Sequence, residues 1–146
     1  MTLVARVAAA KATGNLGPLI DVIPYAKFLG LNGTVVDDEL ITTMAFLPTN
    51  IGNPALPALH GGTLGALLES AAIFQLLWAA ETVVLPKTIT ITVDYLRSAA
   101  PVDTYARGVI VRHGRRVANV SVEAWQDDRA RPVATAHAHF LVMADS

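Results

Sequence analysis

The hydrophobic pattern of the chain changes period after its midpoint. From His60 to Ala80, HGGTLGALLESAAIFQLLWAA, apolar residues fall on nearly every side of a helical wheel, so the segment predicts an enclosed helix over 60–81. After Pro86 the period becomes two: Ile89, Ile91, Val93 and Tyr95 alternate with Thr88, Thr90, Thr92 and Asp94, as in a half-buried strand. The alternation recurs over Thr104 to Arg112, Arg116 to Trp125 and Val133 to Met143, with breaks at Ser98 to Asp103, His113 to Arg115 and Gln126 to Pro132. These four strands are expected in meander order. Upstream, residues 2 to 12 predict a short helix broken by Gly14, Gly17 and Pro18, and Leu19 to Phe28 a second helical or turn segment, so 1–30 reads as an N-terminal helical segment. Leu31 to Leu47 fits a hairpin around the acidic turn Asp37, Asp38, Glu39, closed by Pro48. Thr49 to Leu59, TNIGNPALPAL, predicts an irregular loop that delivers the chain to His60. Early hairpin, one long apolar helix and a run of antiparallel strands together give an α+β plan in which the sheet wraps the helix.

Length and composition narrow this plan. With 146 residues, 53% of them hydrophobic, the expectation is one domain, 1–146, around one core. The 11 basic and 12 acidic residues nearly cancel, so no global field draws the chain to nucleic acid or an anionic membrane. The absence of cysteine excludes disulfides, thiolate metal sites and a cysteine nucleophile, and fits a reducing, cytoplasmic setting. Arg6 and Lys11 interrupt the apolar N-terminus, which does not read as an export signal. The long helix has the length of a membrane span, but Glu69 at its middle and the alternating strands after it favour a sheet-wrapped helix.

Glu69 is the residue that calls for chemistry. A carboxylate among Leu, Ala, Ile, Phe and Trp must be neutralised, paired or kept for a reaction. Gly62, Gly65, Ala66, Ala72 and Ile73 lie three, four or seven positions from it, so most of the helix surface beside the acid is small. That surface leaves room for a substrate; equally, it allows a second helix to pack closely and bring a basic partner. The Gly61-Gly62 start adds backbone N–H groups without internal acceptors at the positive end of the helix, where they could hold an oxyanion or simply make a tight turn. Gly61 and Glu69 are eight residues apart, roughly 12 Å along one helix. One carbonyl cannot touch both, so shared action on one substrate favours a two-fold dimer with antiparallel helices.

HGG with an acid nine residues after the histidine, followed by TVDYLRSA and VRHGRR, resembles the hotdog-fold acyl-CoA thioesterases of the PaaI type, within the 4-hydroxybenzoyl-CoA thioesterase superfamily, and the resemblance covers most of the chain. It implies a hotdog domain that hydrolyses an aryl- or medium-chain acyl-CoA, with coenzyme A entering as part of the substrate and no other cofactor. On that resemblance Glu69 is general base or nucleophile, the Gly61 N–H polarises the carbonyl, His60 positions the substrate loop, and Thr88 orients the attacking water. Relatives often carry Asn or Gln seven residues before the glycine, where this chain has Pro54; Asn53 is one residue away, and Asn50 is the other candidate. The resemblance further implies a homodimer sharing its active site and a homotetramer built from it.

Other residues fit around this reading. Gly62, Gly65 and Ala66 would line the substrate side of the helix, and Arg97, Arg112, Arg115 and Arg116 could hold coenzyme A phosphates or merely solvate turns. His137 and His139 alternate on one strand, too few donors for a metal site, and no metal is expected. Trp78 and Trp125 read as core or interface aromatics. Two alternatives stay open: a non-catalytic acyl-CoA-binding protein, and a hydroxyacyl dehydratase, although the proline-rich stretch expected after a dehydratase histidine is missing.

Overall fold

A computed structural model describes residues 2–79 and 84–143. Met1, Ala80 and Glu81, at the ends of two predicted segments, lie outside the described residues. The N-terminal segment forms three short helices, α1 (Leu3–Thr13), α2 (Gly17–Ile20) and α3 (Pro24–Phe28). Thr2 caps α1 by accepting the Ala5 N–H through its hydroxyl, and Gly14 ends it in the left-handed region at φ 67°. The hairpin follows as β1 (Leu31–Val36) and β2 (Glu39–Met44). Its turn is only Asp37-Asp38, both at positive φ, the two-residue geometry whose twist suits paired strands. Glu39 belongs to β2 rather than to the turn.

The loop is more ordered than its prolines suggest. A 3-10 turn at Pro48–Asn50 leads into the short antiparallel pair β3 (Ile51–Asn53) and β4 (Ala58–Leu59), and then into α4 (Gly61–Ala79). Four strands complete the chain: β5 (Lys87–Tyr95), β6 (Thr104–His113), β7 (Val117–Trp125) and β8 (Ala134–Leu141). The main sheet has the order β1-β2-β6-β7-β8-β5, all neighbours antiparallel.

That order corrects the expected four-strand meander. β6, β7 and β8 do form one, but β5 lies at the far edge against β8, three strand spacings from β6, or about 14 Å. Alternation decides which residues face the core; it does not decide which strand lies alongside. The eight residues 96–103 are long enough to cross that gap over the end of α4, and the Leu59 N–H donates to Ala99 O at 3.0 Å to hold the crossing.

The sheet curls around α4, whose buried side is Leu64, Leu67, Leu68, Ala71, Ala72, Phe74, Leu76 and Leu77. By length and composition alone α4 could cross a bilayer; in the fold it is the core helix. The sheet's inner face is mostly small: Ala106 and Gly108 on β6, Ala118 and Ala124 on β7, Ala134, Ala136 and Ala138 on β8. At Gly108 the helix backbone comes so near that an added Cβ would stand 3.3 Å from Ala71 O and from Ala72 Cα. The outer face carries a charged anchor. Arg129 binds Glu39 at 2.7 Å and Glu123 at 3.4 Å, lies 4.6 Å over the Trp125 ring, and so ties the hairpin to the β7–β8 connection.

Two stability outcomes are expected. Gly108→Val pushes a branched side chain into the α4 backbone and should cost about 1–3 kcal/mol, read by urea unfolding; an unchanged midpoint would show that the helix can retreat. The Arg129 hydrogen bond, helped by the charge of Arg107, holds the Glu39 carboxyl below its ordinary value of 4.5. A lowered folded pKa means stabilisation present above 4.5 and lost as pH falls through the lowered value. Glu39→Gln should therefore be less stable than the native chain at neutral pH, with the gap closing as pH falls below 4.5 through the lowered value.

Candidate active site

His60 sits at the junction of loop and helix, and the loop holds it from behind. Its N–H donates to Asn50 O at 2.8 Å, and Gly52 passes so close that a Cβ there would lie 2.6 Å from His60 Cα. His60 then caps α4: its Nδ1 accepts the Gly62 N–H at 2.8 Å, which places the ring proton on Nε2. Its carbonyl accepts both the Thr63 N–H at 3.0 Å and the Thr63 hydroxyl at 2.6 Å. The Gly61 N–H is left without an acceptor among the described residues, at the positive end of a helix of 19 residues. Of the two glycine donors that the sequence offers, one is therefore spent on the histidine and the other remains available.

Tyr95, at the end of β5, lies against the same turn. Its hydroxyl donates to Gly61 O at 2.9 Å, and a Cβ on Gly61 would stand 3.2 to 3.5 Å from its ring and hydroxyl. A Cβ on Gly65 would lie 3.6 Å from the same hydroxyl. Sequence reasoning passed over Tyr95 and Thr63 as site residues. The signal for Tyr95 was its phase, which it shares with Ile91 and Val93 on the helix side of β5.

Glu69 lies two turns further along α4 and is half-buried rather than enclosed. It makes no ion pair or hydrogen bond among the described residues, so no basic partner accounts for it within one chain. Gly65, Ala66 and Ile73 continue a half-open stripe beside it and Gly62 is exposed, whereas Ala72 faces the core and is fully buried. Because α4 is uninterrupted, the roughly 12 Å between Gly61 and Glu69 stands.

The remaining candidates scatter. Asn53 is exposed and its Oδ1 accepts the Ala55 N–H at 3.0 Å, so it shapes its own turn. Asn50 is 2% exposed beside His60, and its Nδ2 has no partner among the described residues. Thr88 is exposed at the start of β5, about 23 Å along the strand from Tyr95. The arginines do not form one cluster in the chain. Arg97 lies at the Gly61 end, where its Nε donates to Pro132 O and it shares a hollow of about 250 Å³ with Arg131, Asp127 and Asp128. Arg112, Arg115 and Arg116 surround the β6–β7 turn, about 30 Å away along β6. His137 and His139 are exposed on β8, His139 Nδ1 lies 3.0 Å from the Thr90 hydroxyl, and no group of three metal-binding side chains forms among the described residues. Trp78 is half-buried against the core, and Trp125 is buried beneath Arg129.

Comparison with known proteins gives this geometry a family. A protein from Chromobacterium violaceum of solved structure is 37% identical over 97% of this chain and 99% of its own, with a TM-score of 0.77. A phenylacetic acid degradation-related protein from Ralstonia eutropha JMP134 is 27% identical over 83% of this chain and 91% of its own, with a TM-score of 0.73. A Bacillus halodurans protein solved with CoA shares the fold at a TM-score of 0.77, over 97% of this chain and 94% of its own, at 17% identity. No curated protein matches the chain. The family model of the acyl-CoA thioesterase N-terminal domain matches residues 51–141, which takes in the loop, α4 and all four later strands. With that match, and a six-stranded antiparallel sheet wrapped around one long helix, the chain belongs to the acyl-CoA thioesterase family and has the hotdog fold.

Proposed function

We propose that the protein hydrolyses the thioester of an aryl- or medium-chain acyl-CoA, with Glu69 as general base or nucleophile and the Gly61 N–H as donor to the carbonyl oxygen. The observation that carries this reading is a helix-start N–H together with a carboxylate on the half-open stripe of the same helix, neither of them with a partner among the described residues. Thioester hydrolysis needs a tetrahedral oxyanion stabilised and a water activated or a carboxylate attacking, and these two groups supply both. His60 holds the helix start through its Nδ1 and so serves the positional role that this reading gives it. Asn50 takes the place of the polar loop residue at the Pro54 position, and Asn53 does not contribute. Coenzyme A is bound as part of the substrate, and the reading gives it a cytoplasmic setting.

The two groups lie too far apart to serve one carbonyl from one chain, so the reading requires a homodimer. The β5 edge suits that role: it is nine residues long, exposed along most of its length, and has no outer neighbour among the described residues. Tyr95 links this edge to the glycine stripe of α4. Pairing β5 with β5 of a second copy sets two α4 helices side by side and antiparallel, which brings Gly61 of one chain toward Glu69 of the other. A tetramer formed from two such dimers is the further expectation.

Thiol release from a panel of aryl and alkyl acyl-CoA thioesters tests the activity. Glu69→Ala should lower kcat at least about a hundredfold while substrate binding persists; binding without turnover by the native chain would assign it as an acyl-CoA-binding protein. A mixing experiment tests the shared site. Glu69→Ala and Gly61→Val chains, each inactive alone, should regain about a quarter of native activity when refolded together, because half the dimers are mixed and each mixed dimer has one intact site. No recovery from mixed dimers would overturn the pairing of Gly61 with Glu69 across two chains.

A further inference from the structure

We propose that Tyr95 and Thr63 are positioning residues that fix the direction of the Gly61 N–H, so that the oxyanion donor is set before substrate arrives. The proposal rests on the functional reading above and adds to it what holds the donor in place. Glycine at 61 and 62 makes this turn conformationally loose, and a loose donor stabilises a developing charge poorly. Side chains and the loop remove that freedom one peptide at a time. The peptide before His60 is held by its N–H on Asn50 O at 2.8 Å. The peptide between Gly61 and Gly62 is held at both ends, by the Tyr95 hydroxyl on Gly61 O at 2.9 Å and by His60 Nδ1 on the Gly62 N–H at 2.8 Å.

Between them lies the peptide that carries the Gly61 N–H. Its carbonyl, that of His60, accepts two hydrogen bonds from Thr63, from the N–H at 3.0 Å and the hydroxyl at 2.6 Å. Two donors on a carbonyl draw charge toward its oxygen and make the N–H of the same peptide a stronger donor, which is hydrogen-bond cooperativity acting through one amide. The arrangement thus orients and polarises one group while leaving that group free. The glycines at 61 and 65 fit this role, since a side chain at 61 would meet the Tyr95 ring and one at 65 would approach its hydroxyl.

Tyr95→Phe keeps the ring and removes only the hydroxyl, so it separates the clamp from packing. The expected result is a fall of about tenfold in kcat with KM changed less than twofold, because the interaction is realised in the transition state. Thr63→Val should behave alike, and Thr63→Ser should restore most of the loss. In amide hydrogen exchange followed by NMR, the Gly62 N–H of Tyr95→Phe should exchange at least about tenfold faster than in the native chain while the β6–β7 amides stay unchanged. Native kcat in Tyr95→Phe, or a loss of rate carried by KM alone, would overturn the proposal. If the native chain turns over no thioester, the functional reading fails and the exchange measurement still decides the clamp: unchanged Gly62 exchange in Tyr95→Phe would overturn it.

Discussion

The structure depends on how closely one helix can lie on one sheet. α4 is apolar almost all round and buries large side chains, Leu67, Leu68, Phe74 and Leu77, each with at most 1% of its surface exposed. Large residues on both surfaces would hold the layers apart, so the sheet answers with alanine on β6, β7 and β8 and with Gly108 where the helix backbone comes nearest. Complementary sizes fill the interior at the density of a crystal, and burial of each large side chain contributes about 1.5–3 kcal/mol. Everything at the site is referred to this contact, because it sets where α4 begins and how it is turned.

Once α4 is seated, its two sides divide the work. The side toward β6 and β7 is core. The opposite stripe is made of Gly62, Gly65, Ala66, Glu69 and Ile73, which no strand of the chain covers fully. The Glu69 carboxylate is left half-open on this stripe, with no cation paired to it among the described residues. The β5 edge adjoins the same stripe through Tyr95, so the outermost strand and the acid lie on one side of the molecule.

The start of α4 shows the opposite strategy. Two glycines in succession are the least ordered way to begin a helix, yet His60, Thr63, Tyr95 and Asn50 hold nearly every hydrogen-bonding group of the turn. Glycine loosens the turn; the surrounding side chains restore the order that glycine removes. The cap is supplied by an imidazole rather than by the usual Ser, Thr, Asp or Asn, so the histidine that the resemblance gives a positional role also holds the helix start.

Local physics was legible in the chain: the period-two strands, the all-apolar helix with its acid, the acidic hairpin turn and the glycine helix start each follow from torsional preference and burial within a few residues. By these the chain itself determines the α+β plan and the Gly61 to Glu69 spacing. Tertiary structure alone decided what stands beside what. It placed β5 next to β8 instead of β6, set Asn50 rather than Asn53 against His60, parted Arg97 from the Arg112 to Arg116 turn, and laid Tyr95 on a glycine 34 residues before it. Those outcomes turn on where connections such as residues 96–103 cross the helix, and periodicity along a strand carries no information about the neighbour a crossing selects.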